Sequence, residues 1–253
     1  MSTTGFRKIL HDPEDAKLDI VFVHGLNGDR TTTWEKDGIL WPKDILPKDL
    51  GRARILSWGY SAKVLDFWQI SGKHGLNEHS EQLVADMADK RDEVVSPFIP
   101  KCEKNTASIR GLTKGAKGDR PIIFVAHSLG GLVCKNGLVF AAGHAEPHYK
   151  SIADHTRGII FLGTPHGGSD QVKWATRGAT FAKMFNMSVD DGILKIFREG
   201  SSKLIEVDDN FMNFLRDRNE SEDSELGKVK VTCFFEELPM PVIGQVGPQS
   251  PAS

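Results

Sequence analysis

The residue whose surroundings could make it reactive is Ser128, within Pro121-Ile122-Ile123-Phe124-Val125-Ala126-His127-Ser128-Leu129-Gly130-Gly131-Leu132-Val133-Cys134. A run of strand character meets small residues around one Ser, and a helical pattern starts at once. The stretch therefore reads as strand, sharp turn and helix. It matches the G-x-S-x-G nucleophile elbow, with Ala126 in place of the first Gly. So tight a turn demands small residues two before and two after the Ser, and Ala126 and Gly130 satisfy it. The turn predicts a hydroxyl pushed out of the sheet edge, with the positive end of the following helix favouring an oxyanion nearby. His127 is adjacent in sequence but is predicted to point elsewhere.

A nucleophile of this kind needs oxyanion donors, an acid and a base. Leu18-Asp19-Ile20-Val21-Phe22-Val23 reads as a buried parallel strand, and it exits into His24-Gly25-Leu26-Asn27-Gly28. That exit is where a backbone N–H beside the nucleophile is placed, so the N–H groups of Leu26 and Leu129 are the predicted oxyanion hole. His24 reads as pocket lining or as a structural hydrogen-bonder. The loop Gly163-Thr164-Pro165-His166-Gly167-Gly168-Ser169-Asp170 follows another buried strand and is expected beside Ser128. His166 and Asp170 share one short loop, which seldom lines two side chains up on a third residue, so both are read as pocket lining. The acid is expected just past the last strand, Lys228 to Phe235. Glu236 is the first choice and Glu237 the second, since neighbours on a strand exit point to opposite faces. A pair of surface glutamates is the plain alternative.

The base is missing. All nine histidines lie at or before His166, and none follows Glu236. A Ser hydroxyl is a poor nucleophile until a positioned imidazole takes its proton. After Pro241 the chain is Val-Ile-Gly-Gln-Val-Gly-Pro-Gln-Ser-Pro-Ala-Ser, too short for a further strand, a His loop and a closing helix. Three explanations compete: a fragment or alternative product that stops before the His, a fold that binds without turnover, or another His in the role. The first is favoured here. Within the chain, His166 is nearest in placement.

The positioning elements fit an α/β-hydrolase fold, a mainly parallel sheet with helices on both faces, here lacking the C-terminal strand and helix. Residues 1–17 read as an N-terminal extension, 18–238 as the hydrolase domain, and 239–253 as a flexible tail. Pro42 begins a short helix that ends before Pro47, and the nearby Trp34 and Trp41 are expected over the sheet edge. Arg54 to Tyr60 is a short strand, Asn77 to Val95 an amphipathic crossover helix, and Gly143 to His155 a polar connection. Residues 101–120 form a basic loop, read as a solvated insertion. Residues 171–216 form a helical insertion, with one helix over Gln171 to Asn186 and another over Ser202 to Arg216 that either roof the site or cover the sheet. Asp217 to Glu225 reads as a solvated acidic loop.

Composition excludes several classes. The net charge of −2 argues against broad binding to nucleic acid or an anionic membrane. Cys102, Cys134 and Cys233 are an odd set without metal-ligand spacing and read as reduced thiols, so neither a metal nor a cofactor is expected. The polar start fits no secretory signal, and no apolar run is long enough to span a bilayer, which together predict an intracellular location, with a cytoplasmic one kept as the alternative to membrane association.

With these residues in hand, the chain resembles the serine-active-site-containing family of α/β-hydrolases. These are lipase-like domains that also occur at the front of fungal multidomain signalling proteins. The resemblance is carried by Phe22-Val-His-Gly-Leu-Asn-Gly, Thr33-Trp34, Trp41-Pro42, Ile55-Leu-Ser-Trp-Gly-Tyr, the elbow, Gly158-Ile-Ile-Phe-Leu-Gly-Thr-Pro-His-Gly and Phe234-Phe-Glu-Glu-Leu-Pro. It implies a lipase or esterase acting on carboxylic esters, acyl lipids among them, with Ser128 as nucleophile and a carboxylate near Glu236. It also implies association with mitochondrial or endoplasmic reticulum membranes through peripheral contact. The absent terminal His is the departure from the family pattern. A noncatalytic interaction or signalling module on the same fold is the alternative function.

Overall fold

The computed structural model describes residues 4–25, 28–61, 75–92, 119–166, 191–221 and 226–234. In chain order the elements are β1 (Gly5–His11), β2 (Leu18–Val23), a 3-10 turn (Thr32–Trp34), β3 (Glu35–Lys36), β4 (Ile39–Leu40), α1 (Trp41–Asp44), α2 (Leu46–Asp49) and β5 (Ala53–Gly59). After these come α3 (Leu76–Asp92), β6 (Ile122–His127), α4 (Gly130–Gly143), α5 (Pro147–His155), β7 (Thr156–Leu162), α6 (Asp191–Glu220) and β8 (Lys230–Phe234).

Six strands form one sheet in the order β1-β5-β2-β6-β7-β8. Every neighbouring pair is parallel except β1 with β5. Strand β2 is flanked on both sides: Val21 lies opposite Leu56 and Phe124, and Phe22 opposite Ser57 and Val125. Because side chains alternate across a strand, this register sorts them into two layers. Val21, Leu56, Phe124 and Ile159 share one core with α3, α4 and Leu204, Val207 and Phe211 of α6. Ile20, Phe22, Ile55 and Val125 share the other with Trp34 and Trp41. Burial on both faces is why these strands read as unbroken apolar runs.

The fold of the hydrolase class is as expected, and several local expectations are corrected. Trp34 and Trp41 stand edge-on to Phe22, with ring centroids 5.0 and 5.1 Å away, and so cover a face of the sheet, not its edge. Residues Gly5–His11 are not an extension but the antiparallel edge strand. Register shifts between Phe6 and Ile9 and between Ile9 and His11 break the two-residue alternation that would have revealed it. The connection from Gly143 contains α5, started by Pro147 in its first turn and burying only Ile152 and Ala153. Helix α6 runs on to Glu220, so Asp217 to Glu220 is helical and not loop. Gln171 to Asn186 lies outside the described residues, as does most of the basic loop. Arg120, at the end of that loop, is buried and not solvated.

Arg120 is buried because of Asp19. The Asp19 carboxylate, 0% exposed, accepts two N–H groups of Arg54 at 2.9 Å each, one of Arg91 at 2.7 Å and one of Arg120 at 2.8 Å. The backbone carbonyls of Lys90 and Arg120 take further guanidinium N–H groups. This cluster ties β2, β5, α3 and the lead-in to β6 together at the amino ends of the strands, away from Ser128.

Candidate active site

Ser128 occupies the turn between β6 and α4 with φ +54. A left-handed backbone costs an L-residue about 1–2 kcal/mol and persists only where its surroundings fix it. Here they do. The Ser128 N–H donates to the Leu162 carbonyl of β7 at 2.9 Å, and the Gly131 N–H donates to the Ser128 carbonyl at 3.1 Å. A Cβ on Gly130 would stand 2.2 Å from the His24 carbonyl oxygen and 2.7 Å from that of Val23. A Cβ on Gly131 would stand 2.3 Å from the Thr164 hydroxyl. The elbow is thus clamped between the exits of β2 and β7, and each of the two glycines makes one of those approaches.

Gly25 faces Ser128 directly, since its added Cβ would meet Ser128 Cβ at 2.6 Å and Oγ at 2.8 Å. The β2 exit therefore reaches Ser128, the approach that the predicted oxyanion donor needs. Leu26 itself lies outside the described residues. Leu129 is buried with helical backbone at the start of α4. The Ser128 N–H is already taken by Leu162, so it is not a donor to substrate.

His24 orders the β2 exit. Its Nδ1–H donates to the Gly25 carbonyl at 2.9 Å, and its Nε2 accepts from the Tyr60 N–H at 3.3 Å. The Tyr60 hydroxyl returns a bond to the His24 carbonyl at 3.1 Å, and the two rings stack 4.6 Å apart. Burial pushes the imidazole down to about 4, against the pull of its bond to Gly25, so it is neutral at physiological pH. With both nitrogens engaged, His24 is a structural member of the site.

One expectation fails. Ser128 is 1% exposed, and its hydroxyl is buried rather than thrust out of the sheet edge. The β2 exit comes close on one side, where a Cβ on Gly25 would stand 2.8 Å from the hydroxyl oxygen. Among the described residues no hydrogen-bond partner reaches Ser128 Oγ. His24, His127 and His166 are all described, so none of them holds the serine proton. The His127 ring lies 6.2 Å from that of Trp34, on the other side of the sheet from α4. Asp170, Glu236 and Glu237 lie outside the described residues.

His166 is engaged elsewhere. Its Nδ1 lies 2.9 Å from the ammonium of Lys135, a buried lysine on α4 that also pairs with Asp208 of α6. Lys135 and Asp208 were not anticipated from the sequence, although a lysine inside the apolar run after the elbow is a signal that it must find a buried partner. A cleft of about 430 Å³ opens between α4, α5 and α6, lined by Val139, Ala153, Phe214 and Arg218 among others. Val139 is roughly 16 Å along the helix from Ser128 at 1.5 Å per residue, so this cleft does not house the reacting group.

The sheet order, the strained elbow and the two flanking exits define an α/β-hydrolase fold. The chain is similar to the curated protein named Protein SERAC1 from Bos taurus, 26% identical over 240 residues that cover 88% of this chain and 31% of that protein. Protein SERAC1 from Danio rerio is 28% identical over the same shares. These relatives bear out the resemblance read from the sequence, and the chain spans 31% of their length. No family model matches. Among solved structures, Bacillus licheniformis lipase BlEst2 aligns with a TM-score of 0.38 at 20% identity, covering 79% of this chain and 64% of that one. Naproxen esterase from Bacillus subtilis aligns with a TM-score of 0.33 at 17% identity, covering 76% and 55%. The assignment of the fold rests on the sheet topology and not on these alignments.

Proposed function

We propose that this chain is the hydrolase domain of a serine esterase acting on carboxylic esters, with acyl lipids as the substrate class. Ser128 Oγ attacks the ester carbonyl carbon, and the oxyanion is received by the N–H groups of Leu26 and Leu129. A base takes the serine proton and returns it to the departing alcohol, leaving an acyl-serine that water hydrolyses. Glu236 orients that base. The observation that supports this reading best is Ser128 at φ +54 with Gly25 packed against it, a strained serine over-determined by two loops. Peripheral contact with a mitochondrial or endoplasmic reticulum membrane belongs to the same proposal. Among the described residues no helix is long and apolar enough to cross a membrane.

The test is labelling by a fluorophosphonate probe, with Ser128→Ala as control, on this chain and on any longer polypeptide that contains it. Ser128-dependent labelling is expected. Its absence from both would sink the esterase reading.

A second reading, a noncatalytic interaction module, draws on the burial of Ser128 and on the lack of a partner for Oγ among the described residues. Partner binding that survives Ser128→Ala would support it, and ester turnover would count against it.

A further inference from the structure

Three contacts run along one face of α4 and its lead-in. The Leu162 carbonyl accepts the Ser128 N–H, Thr164 lies against Gly131, and His166 meets Lys135. Positions 128, 131 and 135 are spaced i, i+3 and i+7, one stripe of the helix. The β7 exit is therefore laid along α4, pinned to the nucleophile at one end and to Lys135 at the other.

Lys135 is 1% exposed, and an ammonium so buried is tolerated only with close partners. It has them: the Asp208 carboxylate, His166 Nδ1, and the rings of Phe161 and Phe211 at 5.3 and 5.8 Å. Burial lowers its pKa, and Asp208 opposes that shift. An ammonium has donors and no acceptor, so Nδ1 of His166 must accept. The neutral ring then carries its proton on Nε2. A serine-activating histidine is built the other way: a carboxylate takes its Nδ1–H and leaves Nε2 bare to receive the serine proton.

We infer that Lys135, fixed by Asp208, is a positioning residue for the Ser128 site. It holds His166 as the Nε2–H tautomer, a hydrogen-bond donor and not the missing base, and through His166 it secures the loop that follows Leu162, whose carbonyl holds the Ser128 amide. The consequence for catalysis rests on Ser128 being the nucleophile; the tautomer does not. It follows that the base for Ser128 comes from another imidazole.

Long-range proton–nitrogen correlation spectra of the whole ¹⁵N-labelled chain test this directly. The His166 signals are identified by their loss in His166→Gln, or in His166→Asn if the first variant does not fold. At neutral pH an unprotonated Nδ1 and a protonated Nε2 are expected. A protonated Nδ1, or an imidazolium, would overturn the inference. In a folded Lys135→Met chain the preference should be lost and Ser128 labelling slowed about tenfold or more, with both restored by Lys135→Arg. A tautomer unchanged in folded Lys135→Met would also overturn it; if that variant fails to fold, the wild-type spectrum decides. The two readings fail separately. Absent Ser128 labelling with the expected tautomer refutes only the esterase reading, and normal labelling with the wrong tautomer refutes only this inference.

Discussion

Gly25 and Ser128 are in contact so close that no side chain fits between them: a Cβ on Gly25 would stand 2.6 Å from Ser128 Cβ, 2.8 Å from its Oγ and 3.0 Å from the His127 carbonyl oxygen. Gly25→Ala must therefore push the β2 exit away from Ser128 or turn the Ser128 side chain aside. The expected cost is about 1–3 kcal/mol of stability, typical of overpacking. The fold should survive, with Ser128-dependent fluorophosphonate labelling reduced about a hundredfold, because small displacements in a reacting constellation are costly. Urea unfolding and labelling rates measure the two effects. A Gly25→Ala chain that labels normally would remove the β2 exit from the oxyanion site.

The backbone of Ser128 makes a separate prediction. At φ +54 a Cβ is strained, and only glycine relieves it. Ser128→Gly is expected to be more stable than Ser128→Ala by about 1 kcal/mol, the reverse of their order at an ordinary position. The comparison uses urea midpoints at equal slope. If the alanine variant is the more stable, the left-handed turn is wrong.

His24 couples stability to pH. In the folded chain burial holds it at about 4, against 6.5 for the free side chain. Between those values the unfolded chain binds more protons than the folded one. The stability contributed by neutral His24 is thus fully present above 6.5 and drains away as pH falls toward 4. The full span is about 3 kcal/mol at 1.36 kcal/mol per unit. His24→Asn should be less stable than the parent at neutral pH but lose less on acidification. Equal acid slopes for the two would show that His24 is not the group responsible.

Much of this was legible in the sequence where a single local constraint sets a residue. The apolar run from Leu18 to Val23, the elbow at Ser128 and the exit at Gly25 all announce themselves, because burial on both faces and tight turns restrict composition directly. What escaped depends on side chains distant in sequence. Lys135 and His166 are 31 positions apart, and nothing local pairs them. Strand β1 was hidden by its register shifts, and α5 by burying so little. The burial of Ser128 is invisible because a glycine states that something comes close, not which side of it remains open. Asp19 did carry a signal: a charge inside a buried run demands partners, and these proved to be Arg54, Arg91 and Arg120.

That cluster predicts an unequal response to substitution. Among the described residues one carboxylate sits among three guanidinium groups, so their buried charge is in excess on the positive side. Asp19→Asn keeps the shape but strips the carboxylate that all three guanidinium groups share, and removing one partner of a buried ion pair costs about 3–5 kcal/mol. Arg91→Met removes one cation of three, lowers the excess and leaves Asp19 with Arg54 and Arg120, so its cost should be about half as large or less. Burial already depresses the Arg91 guanidinium, with Asp19 opposing that shift, so this cation carries a desolvation burden that its removal would relieve. Both variants, while folded, should retain the Ser128 labelling rate, since the cluster lies at the amino ends of the strands and the elbow at their carboxyl ends. Urea unfolding of the pair decides the matter. An Arg91→Met chain as unstable as Asp19→Asn would mean that the arginine is held for its packing and backbone bonds, and that charge excess is not what governs this end of the sheet.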